Sequence, residues 1–108
     1  MGGAATPIAK GSMMTQAMVR NNEDAQRYEL EAAGALAFAA YQLRGDVVAF
    51  THTEVPAALE GQGIASRLIK GALADVRQRG RKVLALCPFV AGYIDRHPEE
   101  QDLLAPSA

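Results

Sequence analysis

Three groups of residues in this chain have types and spacings suited to chemistry. The first is Leu59-Glu60-Gly61-Gln62-Gly63-Ile64-Ala65-Ser66, where two glycines one residue apart precede a run with helical periodicity. Glycines let the backbone turn tightly and approach a ligand with no Cβ in the way. The first turn of the helix beyond them would point unpaired N–H groups, and the positive end of its dipole, back at the turn. Such a site suits an anion, most naturally a phosphate or pyrophosphate held by backbone. A Gly-x-Gly turn before a helix is also a common plain connection. No Gly-Lys-Ser/Thr follows, and Ser66 stands where a dinucleotide fingerprint has its third glycine, which sets ATP, GTP and NAD aside.

The second group is Cys87, directly ahead of Pro88-Phe89. A lone cysteine in apolar surroundings reads first as a small buried hydrophobe. At the carboxyl end of a strand neighbouring the one before the glycine turn, it would lie where active sites of α/β folds gather. There, partly accessible, it could act as a nucleophile. A thiol with an ordinary pKa of about 8.5 is mostly protonated at neutral pH, so a nucleophilic Cys87 needs a base. His52 on the neighbouring strand is the candidate.

His52 and Glu54 form the third group. Two-residue alternation puts them on one strand face with Val48 and Phe50, and Thr51, Thr53 and Val55 on the other. A His and a Glu two apart fit a general base and its orienting partner. They fit a solvated face equally well. His97, beside Pro98, reads as a surface or turn residue, and one Cys with two His makes a zinc site unexpected. Arg67 is placed for either a phosphate contact or solvent. The basic run Arg77–Lys82 suits a helix end.

These residues need elements to hold them. A short strand is expected at Ala17–Asn21, then a polar turn at Asn22-Glu23-Asp24. Arg27–Ala32 alternates, with Tyr28, Leu30 and Ala32 on one side and Arg27, Glu29 and Glu31 on the other, which is a half-buried strand. Gly34 turns the chain into Ala35–Leu43, and Arg44-Gly45-Asp46 closes a hairpin into Val47–Val55. Three strands joined by tight turns make an antiparallel meander. After Pro56, residues Ile64, Leu68, Ala72 and Val76, with Ala65, Ile69 and Leu73 beside them, form one apolar face of a helix over Ile64–Arg79. Gly80 stops it. Lys82–Leu86 then reads as a strand parallel to the one before the helix, since a helical crossover joins them. Pro88 ends that strand, Ala91–Arg96 reads as a short helix, and the tail from Leu103 reads as frayed.

At 108 residues the chain holds one core. It is 49% hydrophobic and 21% charged with net charge −1, a balance that argues against nucleic-acid binding driven by bulk charge. Its apolar stretches are far short of the roughly 20 residues of a membrane helix. A single cysteine cannot make an internal disulfide, so a cytoplasmic protein is the default. Residues 1–12 read as a disordered or vector-derived tail ahead of a start at Met13 or Met14, leaving 13–108 as one domain.

Glu60-Gly61-Gln62-Gly63-Ile64-Ala65 resembles the acyl-CoA signature of the GNAT N-acetyltransferase superfamily, Arg/Gln-x-x-Gly-x-Gly/Ala, with Glu60 at the usual Arg/Gln position. The likeness extends to Asn21, Arg27-Tyr28-Glu29-Leu30, Tyr41, Phe50-Thr51-His52-Thr53-Glu54-Val55, Cys87-Pro88-Phe89-Val90 and Tyr93-Ile94-x-x-His97-Pro98-Glu99. Together these resemble a compact, stand-alone GNAT-like branch and cover about residues 18–104. The resemblance implies an α/β (α+β) domain: a mostly antiparallel sheet splayed at one parallel pair and crossed by one long helix. It implies acetyl-CoA as cosubstrate, no metal, and an amine acceptor, either a small molecule or a protein lysine or terminus. Gly61, Gln62, Gly63, Ile64, Ala65 and Ser66 would hold the pyrophosphate, Thr53 and Val55 the pantetheine amides, and Phe89 and Tyr93 would flank the cofactor. Cys87, His52 and Glu54 are the catalytic candidates. Two rival readings remain: a non-enzymatic module that binds acyl-CoA or coenzyme A, and an interaction domain in which these motifs are scaffold.

Overall fold

A computed structural model of the chain describes residues 19–106. The expected tail 1–12, and the first two residues of the expected strand Ala17–Asn21, lie outside them. The chain runs β1 (Arg20–Asn22), β2 (Arg27–Ala32), β3 (Ala35–Arg44), β4 (Val47–Glu54), a 3-10 turn (Ala57–Leu59), α1 (Ile64–Gln78), β5 (Lys82–Ala85), α2 (Pro88–Arg96) and a second 3-10 segment (Pro98–Leu103). The strands form one sheet in sequence order. β1 to β4 pair antiparallel, and β4 pairs parallel with β5.

The helical crossover between β4 and β5 is what makes that last pair parallel. α1 buries Ile64, Leu68, Ile69, Ala72, Leu73 and Val76, the stripe its periodicity predicts. They join Tyr28, Leu30, Ala37, Ala39, Tyr41, Val48, Phe50 and Val83 from the sheet and Val90, Tyr93 and Ile94 from α2 in one core. Both helices therefore pack on the same sheet face. On the opposite face no helix packs among the described residues.

Three local expectations change. Glu29, placed by alternation on the outer face, is nevertheless only 3% exposed. It is enclosed by Arg20 and Arg27 guanidinium groups and by Asn22 Nδ2, which donates to it at 3.0 Å. α2 begins at Pro88 and not at Ala91, because proline fits the first turn of a helix, where its missing N–H has no intrahelical use. The segment from Leu103 is not frayed as far as Pro106. Leu103 is buried, Leu104 bridges Val83 in parallel, and Ala105 N–H donates to Val83 O at 2.8 Å. Arg77 anchors this segment with a two-pronged contact to Asp102 at 2.8 and 2.9 Å.

Candidate functional site

The β4–β5 ladder stops at Phe50 and Ala85. Leu86 and Cys87 N–H groups both donate to Phe50 O, at 3.0 and 2.9 Å. The chain then leaves into α2 while β4 continues to Glu54. Beyond Phe50, the β4 edge therefore has no β-strand beside it on that side. This splay lies at the carboxyl ends of two parallel strands, with the glycine turn following one and Cys87 the other.

At the glycine turn, Gly61 and Gly63 have φ of +82° and +71°. Gly63 is the N-cap of α1 and its carbonyl accepts the first helical bond, from Arg67 N–H at 3.1 Å. The N–H groups of Ile64, Ala65 and Ser66 thus belong to the unpaired first turn. A Cβ added at Gly61 or Gly63 would meet no atom within 4 Å, so the backbone faces open space. Glu60 is exposed, and Gln62 folds back to donate to Ala58 O at 3.3 Å. Next to the turn is a cleft of about 350 Å³ lined by Gly63, Ser66, Arg67 and Lys70 of α1 and by Tyr93, His97, Glu99 and Glu100. His97 caps α2 and stacks on Tyr93 with ring centroids 4.0 Å apart. Its Nδ1 lies 3.3 Å from Glu99 Oε2. Lys70 and His97 were not expected here. Lys70 follows Ser66 by one helical turn and so shares its face, a spacing that the sequence displays.

Around Cys87 the arrangement departs from simple alternation. Ala39 pairs with Thr53 and Ala40 with His52, but Tyr41 pairs with Phe50, which leaves Thr51 as an extra residue in β4. This bulge reverses the side-chain phase of the strand. Thr53 moves to the core face with Phe50, and Val55 packs against the core. His52 and Glu54 go to the opposite face, with side chains 58% and 60% exposed. The expected grouping of His52 and Glu54 with Phe50 and Val48 is therefore corrected. The two still meet each other, His52 Nε2 to Glu54 Oε2 at 3.0 Å, and Phe38 of β3 lies edge-on to the His52 ring.

Cys87 is 4% exposed and not partly accessible, because it caps α2 from inside the core. The neighbour of its thiol is Thr53, whose Oγ1 lies 3.3 Å from Sγ. His52, on the other sheet face, is not the base beside it. Phe89 packs partly buried against the core and Tyr93 is buried. Within the helix-end basic run, Arg77 pairs with Asp102 and Glu100, and Arg79 with Asp75 and Glu23. Among the described residues, no group of three or more His, Cys, Asp or Glu is arranged to hold a metal. No helix among them is long and apolar enough to cross a membrane.

The chain is similar to known proteins. Protein NATD1 of chicken and of mouse are each 39% identical to this chain over 57 residues, 53% of this chain and 52% of theirs. Human Protein NATD1 matches at the same identity over 50% of its length. The alignment thus spans about half the length of these relatives. A GCN5-like protein of Staphylococcus aureus, solved by NMR, superposes with a TM-score of 0.63 at 22% identity, covering 83% of this chain and 89% of that one. That likeness bears on the fold. The profile of the GCN5-related N-acetyl-transferase family matches residues 27–103, most of the chain. The chain therefore belongs to the GCN5-related N-acetyltransferase family, a family of acetyl-transfer domains.

Proposed function

We propose that this domain binds acetyl-CoA in the splay between β4 and β5 and transfers the acetyl group to an amine. The observation that carries the reading is the ladder stopping at Phe50 and Ala85 beside a glycine turn with open backbone. In this reading the N–H groups of Gly61 to Ser66 hold the pyrophosphate. Arg67 and Lys70 line the cleft next to it. The pantetheine amides pair with the β4 edge at Thr53 and Val55, as a further strand would. Phe89 and Tyr93 flank the cofactor. Glu60 is exposed and has space to point away from the phosphates.

The acetyl carbonyl then lies near Thr53 and Cys87. The amine nitrogen attacks the thioester carbon, a C–N bond forms, the C–S bond breaks, and coenzyme A leaves as the thiolate, which takes a proton from solvent. The ammonium proton must go to a base, and His52 held by Glu54 is the solvent-facing candidate on the amine's side. Cys87 acts as a wall of the thioester site, since its thiol is buried against Thr53 with no basic side chain in contact. Positioning and polarisation of the carbonyl supply most of the catalysis.

A second reading, a coenzyme A-binding module without turnover, is favoured by the separation of His52 from Cys87 onto opposite faces. Incubation with acetyl-CoA and a panel of primary amines separates the two. Free thiol released in proportion to acetylated amine supports transfer. Tight coenzyme A binding with no acetylated product from any amine supports the module.

A further inference from the structure

The β4–β5 splay is a wedge whose narrow end is closed by protein. The two strands separate at Phe50, whose carbonyl accepts the N–H groups of both Leu86 and Cys87 at 3.0 and 2.9 Å. Further along β4 a side-chain contact crosses the gap, with Thr53 Oγ1 lying 3.3 Å from Cys87 Sγ. That contact depends on the bulge. Without the extra residue Thr51, alternation from Phe50 would send Thr53 to the helix-free face and away from Cys87. Behind the contact lies packed core. Cys87 joins it together with Leu59, Ile64, Val90 and Ile94, and none of these four is more than 3% exposed.

We infer that Thr53 and Cys87 together form an end stop that sets the length of the acyl group, admitting two carbons and excluding longer chains. The inference rests on the proposed cofactor reading and deepens it, by naming the two residues that select the donor. With the pyrophosphate at Gly61–Ser66 and the pantetheine amides on the Thr53–Val55 edge, the thioester points into the narrow end. An added methylene there meets the Thr53–Cys87 contact on the core side, or else turns into the helix-free mouth where the amine enters. A close-packed interior makes no room for a methylene without displacing side chains. One methylene more or less in an apolar pocket changes discrimination by about 10–200-fold. The role is one of shape. It requires no nucleophilicity of the thiol, and only the volume of the Thr53 side chain.

The test is calorimetric titration of the full chain with coenzyme A, acetyl-CoA, propionyl-CoA and butyryl-CoA, which needs no acceptor. Acetyl-CoA is expected to bind at least tenfold more tightly than butyryl-CoA, with propionyl-CoA between them. Cys87→Ala and Thr53→Ala each open the stop and are expected to bring butyryl-CoA within about threefold of acetyl-CoA. Thr53 is only half-buried, so its variant serves even where the cysteine variant fails to fold. Thr53→Val, which keeps the shape and removes the hydroxyl, is expected to retain the original preference. Butyryl-CoA binding as tightly as acetyl-CoA to the unaltered protein, or a preference that survives both alanine variants, would overturn the stop alone. No binding of any of the four ligands, coenzyme A included, would overturn the cofactor reading and the stop with it, so the two failures are distinguishable.

Discussion

Cys87 and Glu29 show how differently two buried reactive side chains can be used. Cys87 is inside the core with its thiol against Thr53, which in the proposed reading makes it a wall of the thioester site. Cys87→Ala is expected to retain coenzyme A affinity within about threefold and to keep most of the turnover, at a packing cost of about 1–2 kcal/mol. Turnover lost outright at unchanged affinity, measured with acetyl-CoA and a competent amine, would give the thiol a chemical role. Glu29 is a structural carboxylate. The Arg20 guanidinium, opposed by burial and aided by Arg27 and Asn22, lowers its pKa from 4.5 to about 2. A depressed folded-state pKa means stability that is present above the unfolded value and lost as pH falls through the folded one. Melting temperature should therefore drop between about pH 4.5 and 2, and Glu29→Gln should flatten the drop while lowering stability at neutral pH. Parallel melting curves for the two proteins across that window would show that the carboxylate is not the titrating group.

Most of the elements were legible because their signals are local. The two-residue period of Arg27–Ala32 and the four-residue spacing of Ile64, Leu68, Ala72 and Val76 each follow from one buried face. The bulge at Thr51 was not legible by alternation, because an extra residue leaves composition untouched while moving His52 and Thr53 across the sheet. Nor was the bridge from Leu104 to Val83, a pairing set by tertiary contact and not by any run of strand formers. Two predictions belong to the turns. Ala33 holds φ of +51° next to Gly34 at +77°, a hairpin geometry that favours Asn-Gly. Ala33→Asn is expected to stabilise the protein by up to about 1 kcal/mol in denaturant unfolding, since left-handed backbone costs most L residues roughly 1–2 kcal/mol. An unchanged or lower midpoint would contradict that. Gly63→Val meets no steric neighbour, so its folding cost is conformational, at least about 1–2 kcal/mol. Coenzyme A affinity is expected to fall at least tenfold in the folded variant, measured by calorimetry. Unchanged affinity would mean that this turn does not hold the phosphates.

Among the described residues the fold is a one-sided sandwich: a five-stranded sheet with both helices on one face. In the proposed reading, cofactor capture falls to the helix side and acceptor approach to the sheet side, with the splay of β4 and β5 joining them. The central claim is that coenzyme A occupies this splay. Its most direct test is an amide NMR titration of the full chain with coenzyme A. A ligand bound only to the native state stabilises it by RT ln(1 + [L]/Kd), about 2.7 kcal/mol at a hundredfold excess over Kd, so a parallel melting curve reports on the same event. The expected result is saturable shifts concentrated at Gly61–Ser66, Thr53–Val55 and Cys87–Phe89, with a raised melting temperature. A spectrum and a melting curve both unmoved at millimolar coenzyme A would contradict it.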